Sequence, residues 1–407
     1  MILRVPGAIP LWLAGCATGV TRWFEMLAFS LWVLAETGSP LAVALAAVAR
    51  LVPLLLLSAV LAGWLEGRER GRIVIVSLGA ITTVALLMLA MSLLDAVSLP
   101  LIYLAAFLGG VSWAVDQPVR RTMLVELVGL QNASAAMGLE TAANQLTRML
   151  GAIAGGATVQ LVGLTGVFVI TSILLGAALL LVASVRPAPR SDGEAPPHRR
   201  SRSDLLLGFR VVRDDPLLLG TALLTIIFNV FVFPYTALAP VIAERSLGLP
   251  PFEIGLLMGC EGFSGFLASI LMTLAARPSH FRRIYTLGPL LVMATNIPFA
   301  LTGSPALAAV LQLVAGLGMA GFAAMQTVIP LMVARPEVRL RVLGVITTCI
   351  GTSPLGFLHA GLMGELLGPG PALLLLTLEG LLAQALVLWW IPGMLGNGVP
   401  EPRDRAP

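Results

Sequence analysis

Long apolar stretches interrupted by almost no charge constrain this chain more than any other feature. LLMLAMSLL and PALLLLTLEGLLAQALVLWW are two of them. Only 11% of the residues are charged and 57% are hydrophobic, whereas a soluble globular domain carries roughly 25% charged residues. Such a chain cannot cover itself with a water-facing surface, so lipid must be its solvent. In lipid only helices or a closed barrel satisfy their own backbone. A barrel would show alternating polarity over segments of about ten residues. The runs here are longer and do not alternate, and they are long enough for helices to cross a bilayer. The expected fold class is therefore an all-α membrane protein with twelve transmembrane helices, at about 9–34, 39–66, 71–94, 98–118, 134–161, 164–185, 216–243, 250–276, 282–302, 305–334, 338–366 and 370–395.

Every basic residue is arginine, and the arginines test this map. If the N-terminus is cytoplasmic, 21 of the 25 fall on the cytoplasmic side. Arg245 lies opposite, and Arg22, Arg50 and Arg148 lie within helices. Such a positive-inside bias sets orientation and predicts an even number of crossings with both ends cytoplasmic. The expected location is a bacterial cytoplasmic membrane. The net charge of +4 is explained by these helix ends and gives no reason to expect nucleic acid. Cys16, Cys260 and Cys349 all fall in apolar segments and read as small packing residues. Neither a disulfide nor a metal pattern is present. The first apolar segment is too long, and carries too many charges in Arg22 and Glu25, for a cleavable signal peptide.

The stretch RPAPRSDGEAPPHRRSRS, residues 186–203, is polar and rich in Pro and Arg, as a linker between two bundles would be. DLLLGFRVVRDDP follows and reads as a short amphipathic helix on the cytoplasmic face. The expected organisation is a six-helix bundle over 1–186, a linker with this helix over 187–214, a second six-helix bundle over 215–396 and a tail over 397–407. The halves repeat. Gly151, Gly156 and Gly163 have the spacing of Gly356, Gly361 and Gly368, and at a different offset Pro40, Arg50 and Arg72 align with Pro251, Glu261 and Arg283. Two pseudo-symmetric halves with a site between them form a known transporter architecture.

Several motifs carry a family resemblance. Gly63-Trp64-Leu65-Glu66-Gly67-Arg68-Glu69-Arg70-Gly71-Arg72 resembles the major facilitator signature G-x-L-A-D-R-x-x-R-R between helices two and three. Gly67 occupies the aspartate's place, and Glu66 or Glu69 is the available acid. In helix five, Arg148 to Gly156 resembles the G-P-x-x-G-G motif of major facilitator antiporters, with Ala152 in place of the proline. Gly151, Gly155 and Gly156 would serve close helix packing. The stretches TGSPLAVALAAVARLVPLLLLSAVLAG, DQPVRRTMLVELV, DLLLGFRVVRDDPLLLG and GTSPLGFLHAGLMGELLGP are similar to the enterobactin-exporter-like branch of that superfamily, over about residues 9 to 395. The resemblance implies the major facilitator fold, alternating access, and export of small molecules driven by protons. It implies no cofactor, and we expect a monomer.

Charged groups in hydrocarbon are costly and mark functional positions. The resemblance places helices one, four, seven and ten around a cavity. Glu25, Arg22, Arg50, Asn229 and Tyr235 are then candidates for proton coupling or substrate contact. Arg22 and Glu25 lie one turn apart and could instead neutralise each other; Arg50 is a second partner for Glu25. Arg148 and Glu261 are candidates for an ion pair joining the two halves. Glu66, Arg68, Arg70, Arg72, Asp116, Arg120 and Arg121 form a candidate cytoplasmic latch. Glu140, Gln145, His359 and Glu379 complete the intramembrane polar set, and Gln312 and Gln326 could also line the cavity. No metalloprotease, nucleotide-binding or paired-histidine motif is present, so an enzyme is not expected. The expected function is a proton-coupled exporter of small amphipathic compounds such as drugs, siderophores or metabolites. A lipid or lysolipid translocator and a non-transporting receptor or scaffold on the same fold are the alternatives.

Overall fold

A computed structural model of the protein describes residues 5, 7–65, 69–129, 132–185, 202–275, 277–335 and 337–396. Among these residues the regular structure is entirely helical, as expected of an all-α membrane protein. The helices are α1 (Ala8–Thr37), α2 (Pro40–Leu65), α3 (Arg70–Leu93), α4 (Leu99–Val128), α5 (Ala133–Ala183), α6 (Arg202–Asp214), α7 (Pro216–Ile227), α8 (Tyr235–Arg245), α9 (Pro251–Ala275), α10 (Phe281–Leu301), α11 (Pro305–Val333), α12 (Arg339–Ile350), α13 (Ser353–Leu367) and α14 (Pro369–Trp390).

Fourteen helices give twelve crossings once the short α6 is set aside and three departures from regularity are taken into account. Helix α5 is two crossings, because Gly163 (φ 71°, ψ −163°) breaks it. A π-helical segment, Phe228–Val232, and a turn at Phe233 and Pro234 join α7 to α8 as one crossing, Pro216–Arg245. A break at Gly351 and Thr352 separates α12 from α13, again within one span. Sequence reading ended helix four near residue 118. The structure carries α4 ten residues further, through Pro118 to Val128. A proline inside a membrane helix is tolerated where neighbouring groups re-satisfy the freed backbone.

Helix ends follow local chemistry. Five helices, α2, α7, α9, α11 and α14, begin with proline, which has no N–H to leave unsatisfied in the first turn. Asp215 Oδ1 accepts from the N–H groups of Leu217 and Leu218 (2.8 and 3.1 Å) and caps α7. Outward faces are apolar, with Leu161, Leu180 and Leu274 strongly exposed and Trp389 and Trp390 at the end of α14. Large exposed apolar side chains suit a lipid solvent, and terminal tryptophans suit its interface.

The contacts define two compact units. One comprises Met1–Arg199 with Leu249–Gly259; the other comprises Arg200–Gly248 with Cys260–Pro407. In the first unit α1 packs along α5, α2 along α4, and α3 against both α4 and α5. Glycine permits the closest approaches. A Cβ on Gly151 would stand 2.7 Å from Val20 O, and one on Gly155 would stand 2.8 Å from Phe24 O, both on α1. A Cβ on Gly156 would run into Pro251 O and come within 3.0 Å of Gly255 Cα, on the segment of α9 that belongs to this unit.

In the second unit α10 packs on α11 and α14. The amphipathic α6 lays Gly208 and Val212 against α12, with a Gly208 Cβ only 2.9 Å from Arg341 O.

Backbone geometry shows the duplication independently of composition. Gly38 and Gly248 both have left-handed φ values (62° and 64°) after the first and seventh crossings. Each donates its N–H to a carbonyl four residues back, Leu34 O at 2.8 Å and Glu244 O at 3.1 Å. Gly163 and Gly368 both have positive φ (71° and 86°) after the fifth and eleventh crossings. Gly151 abuts the first crossing of its unit, and a Cβ on its counterpart Gly356 would stand 2.7 Å from Asn229 O in the seventh.

Gly156→Ala is expected to destabilise the protein by about 1–3 kcal/mol, because the added methyl meets backbone that cannot move aside. Gly176→Ala, which faces open space, is expected to leave stability unchanged. Thermal unfolding of the purified variants in detergent checks both.

Candidate functional site

The first unit buries a set of charged side chains around α1. Arg50 on α2 donates from Nη2 to Glu25 Oε2 on α1 at 2.6 Å, and both are buried. Close approach of α4 to α2 beside this pair depends on Gly110, where a Cβ would strike Arg50 O. The structure thus joins Glu25 to Arg50 rather than to Arg22.

A second cluster lies further along α1. Arg120 donates from Nη1 to Glu140 Oε1 on α5 at 2.6 Å and lies 3.5 Å from Asp116 Oδ2. Arg121 Nε is 3.7 Å from Glu140 Oε2. Thr18 on α1 donates to Asp116 Oδ2 at 3.4 Å. Arg120 fits because Gly15 on α1 has no side chain; a Cβ there would overlap the guanidinium.

Arg22 lies between the two clusters. It is 6% exposed, and its guanidinium carbon is 4.2 Å from the centroid of the Trp113 ring on α4. Trp113 Nε1 in turn donates to Gln117 Oε1 at 3.0 Å. Arg148 on α5 makes a similar contact, 4.7 Å from the Trp23 ring on α1. Cation–π contact of this kind holds a guanidinium against an apolar wall while its N–H edge stays available.

The residues expected to form a latch separate into two groups. Asp116, Arg120 and Arg121 belong to the buried cluster. Arg70 pairs with Glu126 on α4, and Arg72 lies 3.5 Å from Glu69. Glu66 and Arg68 lie outside the described residues. Sequence reasoning did not identify Glu140 and Glu126 as the acids that receive these arginines. They sit on α5 and α4 in stretches where only three-dimensional packing selects the partner.

The second unit answers this charge with neutral polar contacts. Tyr285 on α10 shares a hydrogen bond with Thr225 Oγ1 (2.7 Å) and donates to Thr221 O (2.8 Å). Its ring stacks on Phe322, which stacks on Phe228 (centroids 4.6 and 3.9 Å). Asn229 occupies the π-helical segment, where Phe233 N–H reaches Phe228 O at 2.7 Å. Its amide donates to Thr225 O and accepts from Ser353 on α13. Tyr235 is fully buried, and Glu261 is buried on α9 within this unit. Arg148 belongs to the first unit. His359 Nε2 lies 2.8 Å from Glu379 Oε2, between α13 and α14. The π-helical segment was not foreseen; Phe233-Pro234 inside an apolar run is the signal that could have marked it, since such segments cluster at functional sites.

The family profile of the Major Facilitator Superfamily matches residues 11–296, and the chain belongs to that superfamily. Its fold is similar to that of the nucleoside transporter NupG, with 13% identity, a TM-score of 0.74, and coverage of 94% of this chain and 99% of that one. A D-xylose-proton symporter is similar at 15% identity and TM-score 0.74, over 95% of this chain and 98% of that one. A bacterial homologue of the human lysosomal transporter Spinster, in an inward-facing conformation, is similar at 16% identity and TM-score 0.66, over 96% of each chain. At these identities the likeness establishes the fold. Among curated proteins no sequence relative is found.

Breaking a buried ion pair on one side costs about 3–5 kcal/mol, while replacing both members with apolar groups is often neutral. Glu25→Leu and Arg50→Leu are each expected to lower stability by that amount, and the double variant is expected to recover most of it. A double-mutant cycle read by thermal unfolding checks the coupling.

Proposed function

We propose that the protein is a secondary active transporter that exports small amphipathic compounds by alternating access, driven by the proton gradient. Membership of the superfamily and the transporter neighbours support transport. The single observation that carries the coupled reading is the Glu25–Arg50 pair, a carboxylate and its counter-charge buried on adjacent membrane helices. A proton taken up by Glu25 cancels the attraction to Arg50. Protonation and the packing of α1 against α2 are therefore linked, which is the requirement for a proton to bias a conformational equilibrium.

The export direction and amphipathic cargo are supported by the four stretches similar to the enterobactin-exporter-like branch, and by an interior whose second unit offers aromatic and neutral polar groups. The arginine distribution supports a bacterial cytoplasmic membrane with both ends of the chain cytoplasmic. In this reading Arg70 and Glu126 tie the cytoplasmic ends of α3 and α4.

Proteoliposomes with an imposed pH gradient are expected to accumulate a fluorescent amphipath, and a protonophore is expected to abolish the accumulation. The Glu25→Leu/Arg50→Leu variant is expected to keep its fold and lose the response to the gradient. Undiminished gradient-driven uptake by that variant would contradict the coupling role, and absence of uptake by the wild type across anionic, neutral and cationic amphipaths would contradict the transport reading.

A further inference from the structure

Arg22 stands apart among the buried charges of the first unit. Arg22 and the two clusters that flank it bring four guanidinium groups (Arg22, Arg50, Arg120 and Arg121) together with three carboxylates (Glu25, Asp116 and Glu140). Each carboxylate is already held by another arginine. Glu25 accepts from Arg50, Asp116 Oδ2 faces Arg120, and Glu140 receives Arg120 and Arg121. Among the described residues Arg22 makes no hydrogen bond and no ion pair; its one specific contact is the face of Trp113. Arg50, Arg120 and Arg121 add repulsion at Arg22, and Asp116 adds attraction.

A buried cation with no anion is one of the most costly arrangements a membrane protein can hold. Trp113 offsets part of that cost and fixes the plane of the guanidinium. A guanidinium so placed presents a fork of N–H donors that matches an oxyanion. Its nitrogens are not sealed: unlike Trp23 Nε1 and Asp116 Oδ1, none of them is among the enclosed atoms that lack a hydrogen-bond partner. Among the described residues no anion is paired with Arg22.

We propose that Arg22 receives an oxyanion of the cargo, so that the transported compounds are amphipathic anions carrying a carboxylate or phosphate. This rests on the transporter reading above and names its substrate class. The oxyanion could belong to a free amphipathic acid or to a lysophospholipid headgroup, and both present the same group to Arg22. Bound in this place, the anion balances the cluster and lies on α1 between the Glu25–Arg50 pair and the Arg120 cluster. A cationic cargo would instead add a fifth positive charge to three negative ones.

The test uses the full-length protein in detergent and in proteoliposomes. The probes are a carboxylate dye of the fluorescein type, a cationic dye of the rhodamine type with a similar ring system, and lysophosphatidylglycerol. Wild type is expected to bind and transport the anionic dye about tenfold more tightly than the cationic one. Competition by lysophosphatidylglycerol identifies a lipid source of the oxyanion; failure to compete identifies a free acid. Arg22→Gln is expected to weaken anion binding at least about tenfold with an unchanged unfolding temperature, and Arg22→Lys to restore part of it, because lysine keeps the charge and loses the fork.

Full anion binding by Arg22→Gln, or equal or better transport of the cationic dye by wild type, would overturn the proposal while leaving the transporter reading intact. Absence of binding and transport for every probe would overturn both. If Arg22→Gln does not fold, the charge preference of the wild type decides the matter alone.

Discussion

Hydrocarbon can hydrate neither a charge nor a peptide group, and the rest of this structure follows from that. Backbone groups are satisfied within helices, and the proline-led starts and the Asp215 cap settle several of the ends. Charges are confined to helix ends or drawn inside, where they meet one another. The outside is left to leucine and tryptophan. With no hydrophobic force to press helix against helix in lipid, close packing supplies the attraction. This is why glycine stands at the tightest crossings, Gly151 and Gly155 on α1 and Gly156 on Gly255.

The two units share a frame and differ in what fills it. Gly38 and Gly248, and Gly163 and Gly368, turn the chain in the same way at matching points. Pro40 and Pro251 open the second and eighth crossings. Inside that common frame the first unit concentrates ion pairs around α1, while the second holds an aromatic stack and neutral hydrogen bonds around Tyr285 and Asn229. Duplication copied the backbone solution, and the buried chemistry then diverged.

Much of the fold was legible because its determinants are local. A run of apolar residues of the right length specifies a crossing, arginines mark its ends, and a glycine with no tolerable Cβ marks a turn or a close contact. The approach of Arg50 to Glu25 could also be anticipated, since few charges in adjacent spans leave few partners. Other features depend on which side chains meet across the bundle. Arg120 and Arg121 look like helix-end residues in sequence, and Pro118 looks like a stop. The helix continues to Val128 with Arg120 enclosed, because Gly15 and Glu140 on other helices accommodate it. Arg22 reads as the partner of Glu25 one turn away, yet Arg50 takes that acid and Arg22 turns to Trp113. The π-helical segment around Asn229 is followed by Phe233 and Pro234, which pack against α13, a contact that hydropathy does not register.

The central claim is that twelve crossings in two matched sets place the arginine-bearing helix ends, Arg245 excepted, on one side of the membrane. Site-specific cysteine labelling tests it most directly. In a chain lacking Cys16, Cys260 and Cys349, single cysteines would replace Ser39, Asp95, Ser246 and Ser304, and separately Glu69, Asn132, Ser279 and Glu337. A membrane-impermeant maleimide would be applied to intact cells and to inverted vesicles. The account predicts that the first four react only from outside the cell and the second four only from the cytoplasmic face. Members of either set divided between the two faces would contradict it.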